Sequence, residues 1–207
     1  MKRLFSINNI PATIIFLCLI LIVILVFIPP EKNLGHVIKA VFIHAAMIRC
    51  GLLILGAAGV IAVLDLVKHS QRNFLLCLST QYTALTLWII YMVSSVIVTY
   101  LAWGIPIAWN EPRTQVSFVI LFVLLAGFLI SKWFNQRIVT DLINIFLTLF
   151  SWIAVKNAIN ISHPFDPIGR SELMFYKVSY LLILFVFILF SIQIIRWFYK
   201  KFNLNES

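Results

Sequence analysis

Long apolar runs alternate with short polar segments along the whole chain. Six of these runs approach the roughly 20 residues that a helix needs to cross the hydrocarbon core of a bilayer. A helix satisfies its own backbone hydrogen bonds, as lipid demands. The sequence therefore predicts an all-α integral membrane protein, a single domain over residues 1–207 built as a bundle of six transmembrane helices. The predicted helices cover Ile10–Ile28, Lys39–Val67, Phe74–Leu101, Val116–Lys132, Ile138–Ile161 and Leu173–Trp197.

Composition and charge support a membrane protein and argue against a nucleic-acid-binding one. Hydrophobic residues make up 62% of the chain and charged residues 11%, whereas a soluble domain has about half and about a quarter. The net charge is +9, but the cations stand between the apolar runs. In that position they set topology and contact lipid headgroups.

The distribution of Lys and Arg predicts how the helices are oriented. More of these cations fall on the side that holds both termini, including the short connections 68–73 and 131–137. By the positive-inside rule both termini are cytoplasmic, in a prokaryotic plasma (inner) membrane, and the other loops are extracytoplasmic. We expect the two short basic connections to be solvated turns without chemistry.

The connection between the third and fourth helices concentrates unusual residues. It contains Trp103, Gly104 and Trp109, followed by the triplet Glu111-Pro112-Arg113. One interpretation is an aromatic belt at the membrane interface with a loop stiffened by proline. The other is a binding site, in which proline directs Arg113 towards a ligand and the indoles offer a flat surface for stacking.

Two histidines are predicted at the same depth as this connection. His44 lies near the outer end of the second helix, and His163 lies just beyond the fifth. Each alone is typical of a hydrogen-bonded packing residue, but together they fit the axial ligands of a haem iron. Arg49, deeper in the second helix, requires either an interior partner or a side chain that extends to the interface.

These segments resemble the CcmC-type branch of the cytochrome c assembly family. The segment Val41-Phe42-Ile43-His44-Ala45-Ala46 is similar to the family's helix end with its first histidine. Trp103-Gly104 and Glu111-Pro112-Arg113 are similar to the opening and close of its WWD domain signature. The segment with His163 occupies the place of the second histidine.

The resemblance implies a haem-handling protein of cytochrome c biogenesis that is not an enzyme. Haem would be held transiently and non-covalently at the outer face for delivery to a partner. No CxxCH motif for covalent attachment occurs. The implied metal ligands are His44 and His163. The other implied cofactor-binding residues are Trp103, Gly104, Trp109, Glu111 and Arg113.

The implied partners are membrane lipid and other membrane subunits of a cytochrome c maturation complex, namely ABC-type transporter subunits and a haem chaperone. An alternative is a non-catalytic membrane subunit of a transporter, such as a haem exporter-like permease or a scaffold. A third is an electron-transfer cytochrome of b type. A visible absorbance spectrum separates the second possibility from the other two.

Overall fold

The computed structural model of the chain describes residues 9–158 and 173–204. Within these ranges each of six α-helices is long and apolar enough to cross a membrane. This confirms the predicted all-α integral membrane architecture, whereas the side on which the termini lie stays a prediction. The helices are α1 (Ile10–Phe27), α2 (Ile38–Lys68), α3 (Gln71–Trp103), α4 (Pro112–Phe134), α5 (Arg137–Lys156) and α6 (Met174–Leu204).

Several helix ends differ from the prediction, most of all at α4, α5 and the end of α6, which reaches Leu204 and not Trp197. Helix α4 begins at Pro112 and not at Val116, because proline lacks the N–H that the first turn cannot use and its fixed φ suits that position. Helix α5 ends at Lys156 and not at Ile161. There the N–H of Asn157 donates back to carbonyls of the last turn.

Helix α2 lies at the centre of the bundle and packs against α3, α5 and α6. Its residues Phe42 and Cys50 are fully buried, as is Trp88 of α3. Gly51 allows this close contact, because a Cβ there would lie 3.3 Å from the Trp88 ring. The Trp88 indole N–H donates to the carbonyl of Ser117 at 3.1 Å, which joins α4 to the same core.

Two side chains of α5 donate hydrogen bonds to backbone carbonyls of α2 and so hold the two helices together. Thr148 Oγ1 donates to the Leu55 carbonyl at 2.5 Å. The Trp152 indole donates to the Leu52 carbonyl at 3.2 Å. A Cβ on Gly59 would lie 2.6 Å from Thr148 Oγ1, so α5 approaches α2 more closely than a side chain there would allow.

Helix α1 lies at the edge of the bundle, and α6 is its main neighbour. Ile10 and Leu17 are its buried residues. The Tyr176 hydroxyl at the start of α6 lies 3.4 Å from the carbonyls of Pro29 and Pro30 and donates to them. The remaining apolar surface of α1 is suited to contact with lipid.

Candidate functional site

The connection between α3 and α4, residues 104–111, is here named the tryptophan connection, and the end of the bundle that holds it the tryptophan end. It begins at Gly104, whose φ of 73° is left-handed and whose N–H donates to the Tyr100 carbonyl at 2.9 Å. Glycine adopts this conformation without the penalty that a Cβ brings. At the other end of the connection, the Trp109 ring stacks on Phe118 of α4 with centroids 4.9 Å apart. Its carbonyl accepts a hydrogen bond of 2.7 Å from Gln115 Nε2. The connection is therefore fixed to both helices.

The aromatic and charged residues of this segment differ in exposure. Trp103 is 47% exposed and Trp109 is 58% exposed, so both indoles offer apolar surface outside the bundle. Glu111 is buried at 3% exposure and precedes α4 as its N-cap residue. Arg113, in the first turn of α4, is half-buried. The exposed indoles are thus followed along the chain by two charged groups that are wholly or partly buried.

His44 of α2 is held in a defined orientation by α3. Its ring stacks on the Tyr91 ring with centroids 4.8 Å apart and an interplanar angle of 24°. Its Nδ1 lies 3.2 Å from Ser94 Oγ, and that hydroxyl donates to the Tyr91 carbonyl at 2.7 Å. Because the serine proton is directed to the carbonyl, Ser94 Oγ acts as the acceptor and Nδ1 carries the proton. The lone pair of a neutral imidazole then lies on Nε2.

A ring stack followed by two hydrogen bonds connects the histidine to the backbone at the start of α4. The Tyr91 hydroxyl, under the His44 ring, lies 2.9 Å from Ser117 Oγ. Ser117 Oγ also donates to the Arg113 carbonyl at 2.7 Å. The Arg113 charge is close enough to Tyr91 to act on it electrostatically. His44 and Arg113, which the sequence predicted in one site, are therefore joined through two intervening side chains.

The other predicted site residues have different outcomes. Gly104 acts through its backbone as the C-cap of α3. His163 lies outside the described residues, so the space predicted to be shared by His44 and His163 stays a prediction. Among the residues that the structure describes, no group of three or more His, Cys, Asp and Glu side chains is placed to hold a metal ion.

A haem is compatible with the donor groups at this end of the bundle. The Nε2 lone pair of His44 is of the kind that ligates haem iron, and its orientation is fixed through Nδ1 in the way that second-shell hydrogen bonds fix metal-binding histidines. The exposed indoles of Trp103 and Trp109 are flat apolar surfaces on which a porphyrin can stack. Arg113 is a cation that pairs well with carboxylates.

The loop between α1 and α2 places a fixed negative charge near the start of α2. Glu31 Oε2 accepts hydrogen bonds of 2.8 Å from the backbone N–H groups of Asn33 and Leu34. These bonds, that from Leu34 first, lower the pKa of the Glu31 carboxyl below its ordinary value. Hydrogen bonds to the charged form of a carboxyl favour that form, so Glu31 remains ionised at neutral pH.

The sequence did not predict a second polar cluster at the opposite end of the bundle. Arg137, expected to be a solvated topology charge, is 27% exposed and makes a bidentate ion pair with the completely buried Asp65. Asp141, one turn further along α5, is 1% exposed. The expectation that the connection at 131–137 is a solvated turn is therefore wrong at Arg137, whereas the absence of chemistry there stays a prediction. The signal in the sequence that could have revealed this cluster is that Asp65 and Asp141 both lie inside apolar runs at about the same predicted depth.

Comparison of the chain with protein-family models and with curated protein sequences finds no match.

Proposed function

We propose that this protein is a haem-handling membrane protein that holds haem at the tryptophan end and passes it to a partner. His44 would supply an axial ligand to the iron, and Trp103, Trp109 and Arg113 would hold the macrocycle. The protein would bind and present haem without catalysing a reaction on it. Function in cytochrome c biogenesis is part of this proposal and follows from the sequence resemblance described above.

The observation that supports the proposal best is the orientation of His44. A histidine that only fills space in a helix contact has no need of a fixed tautomer. Here His44 Nδ1–H donates a hydrogen bond to Ser94 Oγ, and the imidazole ring stacks on Tyr91. The lone pair of the ring therefore lies on Nε2. Metal-ligating histidines usually donate their second ring N–H to such an acceptor.

The start of α4 supplies the conditions for binding the carboxylates of haem. Arg113 has the planar fork of N–H groups that matches a carboxylate. The N-terminus of a long helix adds partial positive charge to the same place. The hydrogen bonds through Ser117 and Tyr91 keep this helix start in a fixed position relative to His44. This contact to the Arg113 backbone supports a binding site that includes both residues.

The proposal includes His163 as the second iron ligand and Glu111 and Gly104 as parts of the binding segment. Glu111 is buried directly before α4, where its charge would act on ligands bound near Arg113. The tryptophan end would face the extracytoplasmic side of a prokaryotic plasma membrane, with both termini cytoplasmic. The partners would be ABC-type transporter subunits and a haem chaperone in the same membrane.

The decisive experiment measures the visible spectrum of the purified protein after haem is added and excess haem removed. We expect a Soret band in the parent protein and a large loss of haem content in His44→Ala. His36→Ala is the matched control, because His36 lies just before α2 and close in sequence to His44. We expect this control to bind as much haem as the parent.

Two outcomes would overturn the proposal. One is a correctly folded parent protein that retains no haem, which would favour the transporter or scaffold alternative. The other is equal haem content in His44→Ala and His36→Ala. Transfer of the bound haem to an apocytochrome acceptor then separates haem handling from electron transfer, because a b-type cytochrome retains its haem.

A further inference from the structure

The polar cluster at the opposite end of the bundle has more negative groups than positive ones. Asp65 of α2 and Asp141 of α5 are 0% and 1% exposed. The Arg137 guanidinium makes a bidentate pair with Asp65 through Nε and Nη2. With both carboxylates ionised, this cluster would carry two negative charges and one positive charge. An uncompensated charge buried in an apolar interior is expensive, so it is usually neutralised.

Both carboxyl oxygens of Asp141 are buried and have no hydrogen-bond partner of normal geometry among the described residues. The Cys77 thiol, a weak donor, is the group placed to interact with them. The carboxyl faces Asp65, the Cys77 thiol and the positive charge of Arg137. Nearby, Asn144 directs its amide N–H groups to Cys77 Sγ and to the Thr140 carbonyl, and so away from Asp141. The site around Asp141 is rich in acceptors and poor in donors.

We propose that Asp141 and Asp65 form a proton-binding site within the membrane, in which the Asp141 O–H donates to the Asp65 carboxylate. One bound proton makes the cluster neutral, since Arg137 balances Asp65. It also gives Asp141 a hydrogen bond without a further donor. A metal cation would need more oxygen ligands than this cluster offers. The described Asp and Cys residues do not form a group of three placed to hold one.

The other cations at this end lie on α2, α3, α4 and α6. The side chains of Lys68, Arg72, Lys132 and Lys201 are exposed at the surface. Arg196 and Lys200 are partly buried on α6, which packs against α1, α2 and α3, and Arg196 donates to Gln193 of its own helix. Arg137 is already engaged by Asp65. A bound proton is therefore the positive charge that we expect to neutralise Asp141.

A cavity lies beside α5 at the residue that precedes Asp141. It has a volume of about 200 Å³, and its polar lining residues include Gln81, Ser131 and Thr140. Gln81 lies one turn from Cys77 along α3 and donates to Ser131 Oγ at 3.1 Å. A cavity of this size has room for several water molecules, so water can reach Thr140 from this end of the bundle.

Infrared spectroscopy of the full-length protein in liposomes tests the proposal. A protonated carboxyl gives a C=O stretching band that is separate from the amide bands and shifts in D₂O. We expect this band at neutral pH in the parent protein and its loss in Asp141→Asn. Glu111→Gln is the matched control, because Glu111 is a buried carboxyl at the tryptophan end and its replacement should leave the Asp141 band in place.

The proposal is wrong if the folded parent shows no such band at neutral pH or if Asp141→Asn retains the whole band. If Asp141→Asn does not fold, Asp141→Glu serves in its place, and a band at an unchanged position in that variant would contradict the assignment. The remaining alternative is that Asp141 and Asp65 bind a metal cation and not a proton. Thermal unfolding in sodium chloride and in choline chloride of equal ionic strength tests it. Stabilisation by sodium in a protein without the band would assign the site to a metal cation.

Discussion

Gly59 is where the contact between α2 and α5 is most sensitive to a single methyl group. In Gly59→Ala the new Cβ would lie 2.6 Å from Thr148 Oγ1 and 2.9 Å from Thr148 Cβ. Both distances are shorter than real Cβ contacts. The neighbouring atom belongs to a side chain that donates to the Leu55 carbonyl, so α5 must shift or this hydrogen bond must break.

The expected magnitude is a balance of opposing effects. Overpacking costs about 1–3 kcal/mol, and loss of the hydrogen bond costs a further ~0.5–1.5 kcal/mol. Alanine is favoured over glycine within a helix by about 0.8–1.0 kcal/mol. The steric effect exceeds the gain in helix propensity, so we expect Gly59→Ala to lower the free energy of unfolding by about 1–3 kcal/mol.

Gly56→Ala is the matched control, because it lies on the same helix and faces the same neighbour. A Cβ there would lie 3.6 Å from Trp152 Nε1, an ordinary van der Waals contact. We expect Gly56→Ala to be as stable as the parent or slightly more stable. Thr148→Ala should rescue Gly59→Ala only in part, since the contact at 2.9 Å with Thr148 Cβ remains.

The assay is equilibrium unfolding in mixed micelles, with an increasing fraction of denaturing detergent, followed by circular dichroism and tryptophan fluorescence. Equal stability of Gly59→Ala and Gly56→Ala would refute the close approach of α5 to α2. Full rescue by Thr148→Ala would show that the backbones are further apart than the structure places them.

Two further predictions concern charged groups, and a third concerns the topology of the helices. Arg137→Gln should lower the free energy of unfolding by about 3 kcal/mol in the same assay, because it leaves the Asp65 carboxylate buried without its cation; a change within error would show that the pair is not needed. Glu31 should titrate below the ordinary range of a glutamate in an NMR titration. Since its folded-state pKa is lowered, its contribution to stability is present above its unfolded pKa and is lost as the pH falls through the folded value; Leu34→Pro, which removes the leading N–H donor, should move the pKa upward. Reporter fusions after Arg137 and after Asp166 should report opposite sides of the membrane, and a result on the same side would exclude the predicted topology.

The six helices could be predicted because membrane-spanning segments are determined by local composition. The start of α4 could not be located, because Glu111-Pro112-Arg113 is compatible both with a stiff loop and with the first turn of a helix. The depth of His44 could be predicted from its place in α2. Its orientation could not, because Ser94 and Tyr91 lie about fifty residues further along the chain and carry no motif that pairs them with it.

The partners of buried charges were the least predictable part of the molecule. Arg137 has the sequence context of an ordinary topology charge, and its pairing with Asp65 depends on which helix lies beside α5. Arg49 shows the same limit. Two interpretations of it stood open, and its guanidinium lies 5.2 Å from the ring centroid of Tyr180 in α6. A cation over an aromatic face is a favourable contact that no pattern near Arg49 indicates.

The position of α1 at the edge of the bundle has a consequence for how the protein is assembled in the cell. Helix α1 precedes its main neighbour α6 along the chain, with four other helices between them, so α1 remains in lipid until α6 has been made. A mean hydropathy of 3.2 over its 18 residues, with no charged side chain among them, makes it stable there alone. Asp65 and Asp141, by contrast, enter the membrane in separate helices. Asp65 therefore lacks its counter-charge until Arg137 and α5 have been made.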